Sequence, residues 1–344
     1  MTASLHVVAQ GMLTTVQDLG RFGYQDLGIP VAGSLDPISL RLANAVVGNP
    51  ENTGALEIRM MGPTFRVDAD SVRVALVGTA QPIEILGDRA VHAEPGESVR
   101  LRRGQVFRIG MIRDTSCCYL AVEGGFDLPA PFRSQSTYIR GGIGGFEGRG
   151  LKEGDDIPLT VPDAEERAEE RLGEVAKIDL PVPIRVVLGP QNDYFTDAAI
   201  ETFVTSEFSI TPDADRMGLR LDGPVLEHAK GYDIASDGIV TGANQVPGTG
   251  KPIILLADHQ TTGGYPKVGT VISADLPRLG RMRPGGKLRF EAVQVGEAES
   301  VRREQETRIL RWIDSITPIT ETDKPDTARL LTTNLISGVV DATE

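Results

Sequence analysis

At 344 residues the chain is longer than one hydrophobic core usually serves, so two domains are expected. Its 40% hydrophobic and 24% charged residues exclude a disordered polypeptide, and 39 glycines with 22 prolines favour short strands joined by tight turns. A net charge of −13 repels phosphate backbones, and no basic stripe with interleaved aromatics offsets it, so nucleic-acid binding is excluded.

The first residues, MTASLHVVAQGMLTTVQ, carry neither a basic region nor a long apolar region of the kind an export signal needs. No apolar run approaches the ~18 residues of a membrane span. A cytoplasmic location is the expectation. From Leu5 to Leu159 glycine punctuates short apolar runs of strand length, Val72–Val77, Ile83–Leu86 and Cys118–Val122. Val99–Ile109 alternates, with Val99, Leu101, Val106 and Ile109 set among arginines, as half-buried strands do. One helix is predicted at Pro37–Val47, with Asp36 as N-cap, Pro37 in the first turn, an apolar face of Leu40, Leu42, Ala43, Val46 and Val47, and Gly48 as the stop. Cys117 and Cys118 are neighbours and rarely bridge without strain, so two reduced thiols are expected.

A charged run, Pro162-Asp-Ala-Glu-Glu-Arg-Ala-Glu-Glu-Arg-Leu, is closed by Pro181 and Pro183 and reads as a linker or a solvated short helix. The expected division is a first domain over 1–162, a linker over 163–183, a second domain over 184–298, and a C-terminal helix and tail over 299–344. Strand-length runs return at Ile184–Leu188, Phe208–Ile210, Ile253–Ala257 and Leu288–Ala292, and Glu299–Ile316 has the apolar spacing of an amphipathic helix. Two faint echoes link the halves: Gly54-Ala-Leu-Glu-Ile-Arg-Met-Met-Gly-Pro with Met217-Gly-Leu-Arg-Leu-Asp-Gly-Pro, and Thr14-Thr15 with Thr261-Thr262, each pair followed by glycines.

Familiar chemical motifs are missing. Gly248-Thr-Gly-Lys251 has Gln245 where a phosphate loop begins with glycine, and Pro252 follows its lysine, so it reads as a turn. His6, His92, His228 and His259 show no metal-ligand spacing, and no G-x-S-x-G elbow occurs. What stands out is Asp258-His-Gln-Thr-Thr-Gly-Gly-Tyr-Pro266, which follows the apolar strand Ile253–Ala257. It gathers a carboxylate, an imidazole, an amide and two hydroxyls, with glycines behind them that let backbone approach closely. A hydrogen-bonded turn is the plainer reading of the same residues. Thr14-Thr-Val-Gln-Asp-Leu-Gly-Arg21 repeats the chemistry, with Gln17 and Asp18 able to exchange hydrogen bonds and Arg21 able to fork onto a carboxylate, or to form a capped turn instead. Asp215-Arg-Met-Gly218 reads either as an ion pair that orients a loop or as a carboxylate clamp.

Taken in order, these runs resemble the C-subunit family of 5-oxoprolinase, also known as allophanate hydrolase subunit 2 or biotin-dependent carboxyltransferase family protein. The resemblance runs through Thr14–Gly23, Gly28-Ile-Pro-Val-Ala-Gly-Ser-Leu-Asp36, Ala43-Asn44, Val47-Gly-Asn49, Leu56-Glu57, Gly62-Pro63, Asp215–Gly223, Gln245-Val-Pro247 and Asp258–Pro266. It departs at Phe132-Arg-Ser-Gln-Ser-Thr137, at Asn244 and at Gly248. The resemblance implies a mainly β fold of two cyclophilin-like β-barrel domains. The partners it implies are a smaller, related B subunit (allophanate hydrolase subunit 1-like), plus the A subunit of the complex. It also implies ATP-dependent conversion of 5-oxoproline to glutamate by the assembled complex, ATP being the cofactor at that level. On this reading Asp258 and Gln260 are the candidate catalytic residues. Gln17, Asp18, Arg21, Arg216, Gln245, Thr261, Thr262, Gly263, Gly264 and Tyr265 are the candidate substrate-binding residues, with Arg21 or Arg216 facing the substrate carboxylate. Two alternatives share the scaffold: a carboxyltransferase of urea-carboxylase type, taking biotin in trans because the chain has no biotinylation site, and a regulator that antagonises a kinase-inhibitor protein.

Overall fold

A computed structural model of the chain describes residues 3–87, 91–173 and 183–320. It is mainly β, with four α-helices among the described residues: α1 (Pro37–Val46), α2 (Asp197–Thr205), α3 (Leu276–Arg281) and α4 (Val295–Asp314). Two sheets are built from the first half and one large sheet from the second.

The first two sheets face one another across an apolar layer, and their sequence explains how. Ser71–Val77 is buried along its whole length, because alternate side chains serve different layers. Val72, Val74 and Leu76 join Leu5, Phe65, Phe107 and Leu120 between the two sheets. Ala75 and Val77 face the other way, with Cys117, Tyr119 and Ala121, onto the apolar side of α1. The two cysteines are free and buried in opposite layers, as period-two geometry requires of neighbours on a strand.

Helix α1 begins where the capping chemistry predicts. The Asp36 carboxylate accepts from the backbone N–H groups of Ile38 and Ser39, both at 3.1 Å, and Gly48 follows in the left-handed region at φ 77°. Helix α4 begins a turn earlier than its apolar spacing suggested. It buries Ile309 and Trp312, and Glu306 takes a two-point contact from Arg41 of α1. Two helices had no sequence expectation. In α2, Thr196 caps the start by accepting from Ala199 N, and Phe203 enters an aromatic cluster with Phe208 and Phe290.

The second half forms an eight-stranded sheet whose two edge strands, Lys287–Leu288 and Phe290–Ala292, are separated in the chain by Arg289 alone. Consecutive residues therefore terminate opposite edges, which curls the sheet into a nearly closed barrel. Leu288–Ala292, expected as one strand, breaks at that corner. Val99–Ile109 likewise divides into Ser98–Arg102 and Val106–Arg108 around a turn at Arg103-Gly104.

The charged run after Pro162 lies against the first half. Buried Arg73 contacts Glu123 and Glu169 and donates to the carbonyls of Glu165 and Arg167, while Glu170–Arg171 pairs with Thr317–Pro318 beyond α4. Residues 174–182 of the expected linker and 321–344 of the expected tail lie outside the described residues. One apolar cluster crosses the chain, joining the α1 layer to Ile184, Phe203, Leu219, Ile254 and Ile309.

Candidate functional site

Gln17, Asp18 and Arg21 leave the strand Leu13–Gln17 and close on the 134–137 segment, more than a hundred residues away. Asp18 accepts from Gly20 N at 2.8 Å, Ser134 Oγ at 2.7 Å, Ser136 Oγ at 2.5 Å and Gln135 N at 2.7 Å. Gln17 Nε2 donates to the Thr137 carbonyl at 3.2 Å, and Arg21 Nη2 donates to the Ser136 carbonyl next to it. The Thr14–Arg21 run and the Phe132–Thr137 run are thus two sides of one hydrogen-bonded seam. That accounts for the turn-forming residues in both.

Arg21 is not fully served by this seam. The residue is 1% exposed, yet Nε and Nη1 have no hydrogen-bond partner among the described residues, and neither does Gln17 Oε1. Burial lowers the guanidinium pKa from its ordinary value, with Asp18 and Asp258 opposing that loss and Arg216 adding to it. Gly144 lies over the group: a Cβ there would meet Arg21 Nη2 at 2.8 Å and the Ser136 carbonyl at 2.1 Å, so only glycine fits.

Arg216 and Asp258 meet as a two-point ion pair, Nε to Oδ2 and Nη2 to Oδ1, both at 2.9 Å. The same guanidinium donates to Glu57 Oε1 at 2.5 Å and to the Gly33 carbonyl at 2.6 Å. Glu57 Oε2 in turn accepts from Tyr119 Oη at 2.5 Å and Leu35 N at 2.9 Å. Burial works against the charge on Arg216, but Glu57 and Asp258 outweigh it and hold the pKa above its ordinary value. Arg216 therefore pairs with Asp258 and Glu57 and not with its neighbour Asp215. Asp215 itself turns back to accept from Met217 N and Gly218 N.

Beyond Asp258 the glycine-rich run joins a short two-stranded ribbon, Thr262–Gly263 pairing with Asp237–Gly238. Ile239 N donates to the Thr261 carbonyl and Ile234 N to the Gly264 carbonyl, so both residues act here through their backbones. His259 is held by Gln260 O at 2.6 Å and Thr241 Oγ1 at 3.2 Å, and burial lowers its pKa despite that carbonyl and Asp258. Gln260 and Tyr265 are exposed and line an open cleft of about 630 Å³ together with Gln245, Arg140, Asp215 and Lys251. Gln260 Nε2 makes a long 3.5 Å contact to Gln245 Oε1, while Gln245 Nε2 is buried without a partner. Lys251, from the false phosphate loop, pairs at the surface with Asp222 at 2.5 Å.

The predicted residues therefore gather into three groups: a seam (Gln17, Asp18, Arg21), an ion-pair centre (Arg216, Asp258), and a cleft wall with its ribbon (Gln245, Gln260, Thr261, Thr262, Gly263, Gly264, Tyr265). Glu57 and Lys267 were not among them. Glu57 carried a signal, a carboxylate set between apolar Leu56 and Ile58 in the strand Ala55–Arg59, which is buried from Ala55 to Ile58. Lys267 carried none beyond following Pro266. A second cleft, of about 410 Å³ and mainly apolar, lies between Leu19, Leu35 and Ile38 on one side and Leu256, Leu276 and Ile309 on the other, and holds none of the predicted residues. His6, unremarkable by spacing, lies near Asp68 and Asp156 in space, but Asp68 is already gripped at two points by Arg66. Among the described residues no helix is long and apolar enough to cross a membrane.

The chain is 38% identical over 296 residues to the C subunit of 5-oxoprolinase from Haemophilus influenzae, covering 85% of this chain and 92% of that protein. It is 36% identical to the C subunit of 5-oxoprolinase from Escherichia coli, over 88% of this chain and 95% of that protein. Its fold is similar to the crystal structure of urea carboxylase from Kluyveromyces lactis, with a TM-score of 0.81 at 28% identity, over 94% of this chain and 30% of that longer chain. The carboxyltransferase domain, subdomain A and B, matches residues 27–292. With the family's model spanning most of the chain, and with the ion-pair centre and the cleft both inside the matched region, this protein belongs to the carboxyltransferase-domain family, subdomains A and B.

Proposed function

We infer that this chain is the C subunit of an ATP-dependent complex that opens 5-oxoproline to glutamate. It forms part of the substrate cleft alongside a smaller B subunit, the enzyme being completed by an A subunit. The observation that carries the reading is the cleft wall, where Gln245 holds a buried amide donor with no partner beside exposed Gln260. A small amide is recognised by donors and acceptors of this kind, and a buried polar group left unpaired discriminates strongly in favour of a ligand that pairs it. In this reading Gln260 and Gln245 touch the lactam, Asp258 acts through Arg216 to hold the loop that presents them, and Arg21 faces the substrate carboxylate. The likeness to two proteins named as C subunits of 5-oxoprolinase supports the choice of substrate. A lactam is a poor electrophile, so ATP would be spent to make its carbonyl oxygen a leaving group, and the cleft's part is positioning and charge stabilisation. The test is to co-express this chain with its A and B partners and measure glutamate released from 5-oxoproline with and without ATP. Release that needs ATP and stops when this chain is omitted establishes the reading.

The family's name and the likeness to urea carboxylase favour a second reading, carboxyl transfer from biotin carried on another chain to a urea-type substrate. It predicts turnover that requires bicarbonate and a biotin carrier, with no glutamate released from 5-oxoproline.

A further inference from the structure

Lys267 stands directly opposite Gln245 on neighbouring antiparallel strands, so their side chains leave the same side of the sheet. It is a buried cation, its side chain 3% exposed, and its carboxylate partner is Asp237 at 3.4 Å, a residue whose own side chain is 54% exposed. A lysine ammonium has three donors, and this single long contact serves one of them. Burying a charge so incompletely paired is costly unless something else uses it. Gln245 next to it is in the same condition. Its Oε1 is engaged by Gln260, which leaves the buried Nε2 as an unclaimed donor. Over both lies the two-stranded ribbon of Asp237–Gly238 and Thr262–Gly263, and a Cβ on Gly263 would come within 2.7 Å of Gln245 Nε2. The same Cβ would meet Ile239 Cδ1 at 2.6 Å, so only glycine lets the backbone there close directly over the amide.

Two buried side chains that can only donate at their free positions, side by side beneath a glycine, select an oxygen acceptor that carries or gains negative charge. We propose that Lys267 and Gln245 form an oxyanion-binding pair whose free donors receive the carbonyl oxygen of the amide substrate, while Gln260 stays on Gln245 Oε1. This inference rests on the amide-opening function proposed above. Donors fixed in a water-poor wall stabilise an oxygen most when its charge is greatest, so the pair acts on turnover more than on binding.

The experiment uses the complex of this chain with its A and B partners and compares wild type, Lys267→Met, Lys267→Arg and Gln245→Leu in ATP-dependent release of glutamate from 5-oxoproline. Lys267→Met is expected to lower kcat by about 100-fold or more with KM changed by less than about threefold, and Lys267→Arg to keep roughly a tenth of wild-type kcat or better. If Lys267→Met shows no cooperative melting transition, Gln245→Leu is read in its place, with an expected kcat loss of about tenfold or more. A folded Lys267→Met complex with kcat within about threefold of wild type overturns the pair and leaves the function standing, as does Lys267→Arg being as inactive as Lys267→Met. A wild-type complex that releases no glutamate overturns the function and this inference with it.

Discussion

Arg216 lies 159 positions from Glu57 in the chain, and its Nη1 donates to Glu57 Oε1 at 2.5 Å while Asp258 grips the other edge of the same guanidinium at two points. One planar cation is thereby divided between a strand of the first half and the loop that leads into the glycine-rich ribbon of the second. Tyr119 and Leu35 hold the far oxygen of Glu57, so the centre is tied to the segment before α1 and to the middle of a first-half sheet. Movement of any one member is felt by the others.

Removing the cation from that centre should be costly. Arg216→Met leaves Glu57 and Asp258 buried and uncompensated, and breaking a buried pair in this way costs about 3–5 kcal/mol. Urea unfolding of the purified chain measures it. A loss under about 1 kcal/mol would mean that water or a rearranged side chain takes the place of Arg216.

Arg21 should behave in the opposite way. Two of its nitrogens are buried without partners, so its charge is already poorly compensated, and an apolar residue of similar length removes that penalty. Arg21→Met is expected to leave the melting temperature unchanged or raised while abolishing turnover of the complex. A large drop in melting temperature would assign Arg21 to the seam alone.

The thiols should be silent in the folded protein. Burial, followed by the carboxylates of Glu57 and Asp36, pushes the Cys117 thiol up to about 12, and burial raises Cys118 well above its usual value. A thiol reagent at mildly alkaline pH should label neither residue in buffer and both in strong denaturant. Rapid labelling of the native chain would contradict their placement in the two apolar layers.

His259 makes stability depend on pH. Its folded pKa lies below the ordinary 6.5, so the unfolded chain binds the proton more readily. The stabilisation is complete above the ordinary histidine value and is lost as pH falls from there through the folded pKa. Urea midpoints at about pH 7.5 and about pH 5.5, either side of the ordinary histidine value, should differ less in His259→Asn than in wild type. Equal differences would exclude His259 as the source.

Period-two alternation and capping chemistry act over a few residues, which is why they could be read directly. Asp36, Pro37 and Gly48 delimit α1 by local chemistry alone, and Ile83–Leu86, Phe208–Ile210 and Ile184–Leu188 stand as strands at the expected bounds. That the adjacent cysteines do not bridge each other followed from covalent geometry. The three polar runs were visible as runs, and their order carried the family. What they do to one another was not visible, because hydrogen bonds and ion pairs depend on distances that only the closed fold sets. Asp18 had no legible partner until the 134–137 segment arrived with three donors for it. Glu57 looked like one charge in an apolar strand until Arg216 met it from the other half. Lys267 acquired meaning only when strand pairing set it beside Gln245 and the two-stranded ribbon closed above them. Local backbone preference determined the elements; desolvation of charges brought together from distant parts of the chain decided the site.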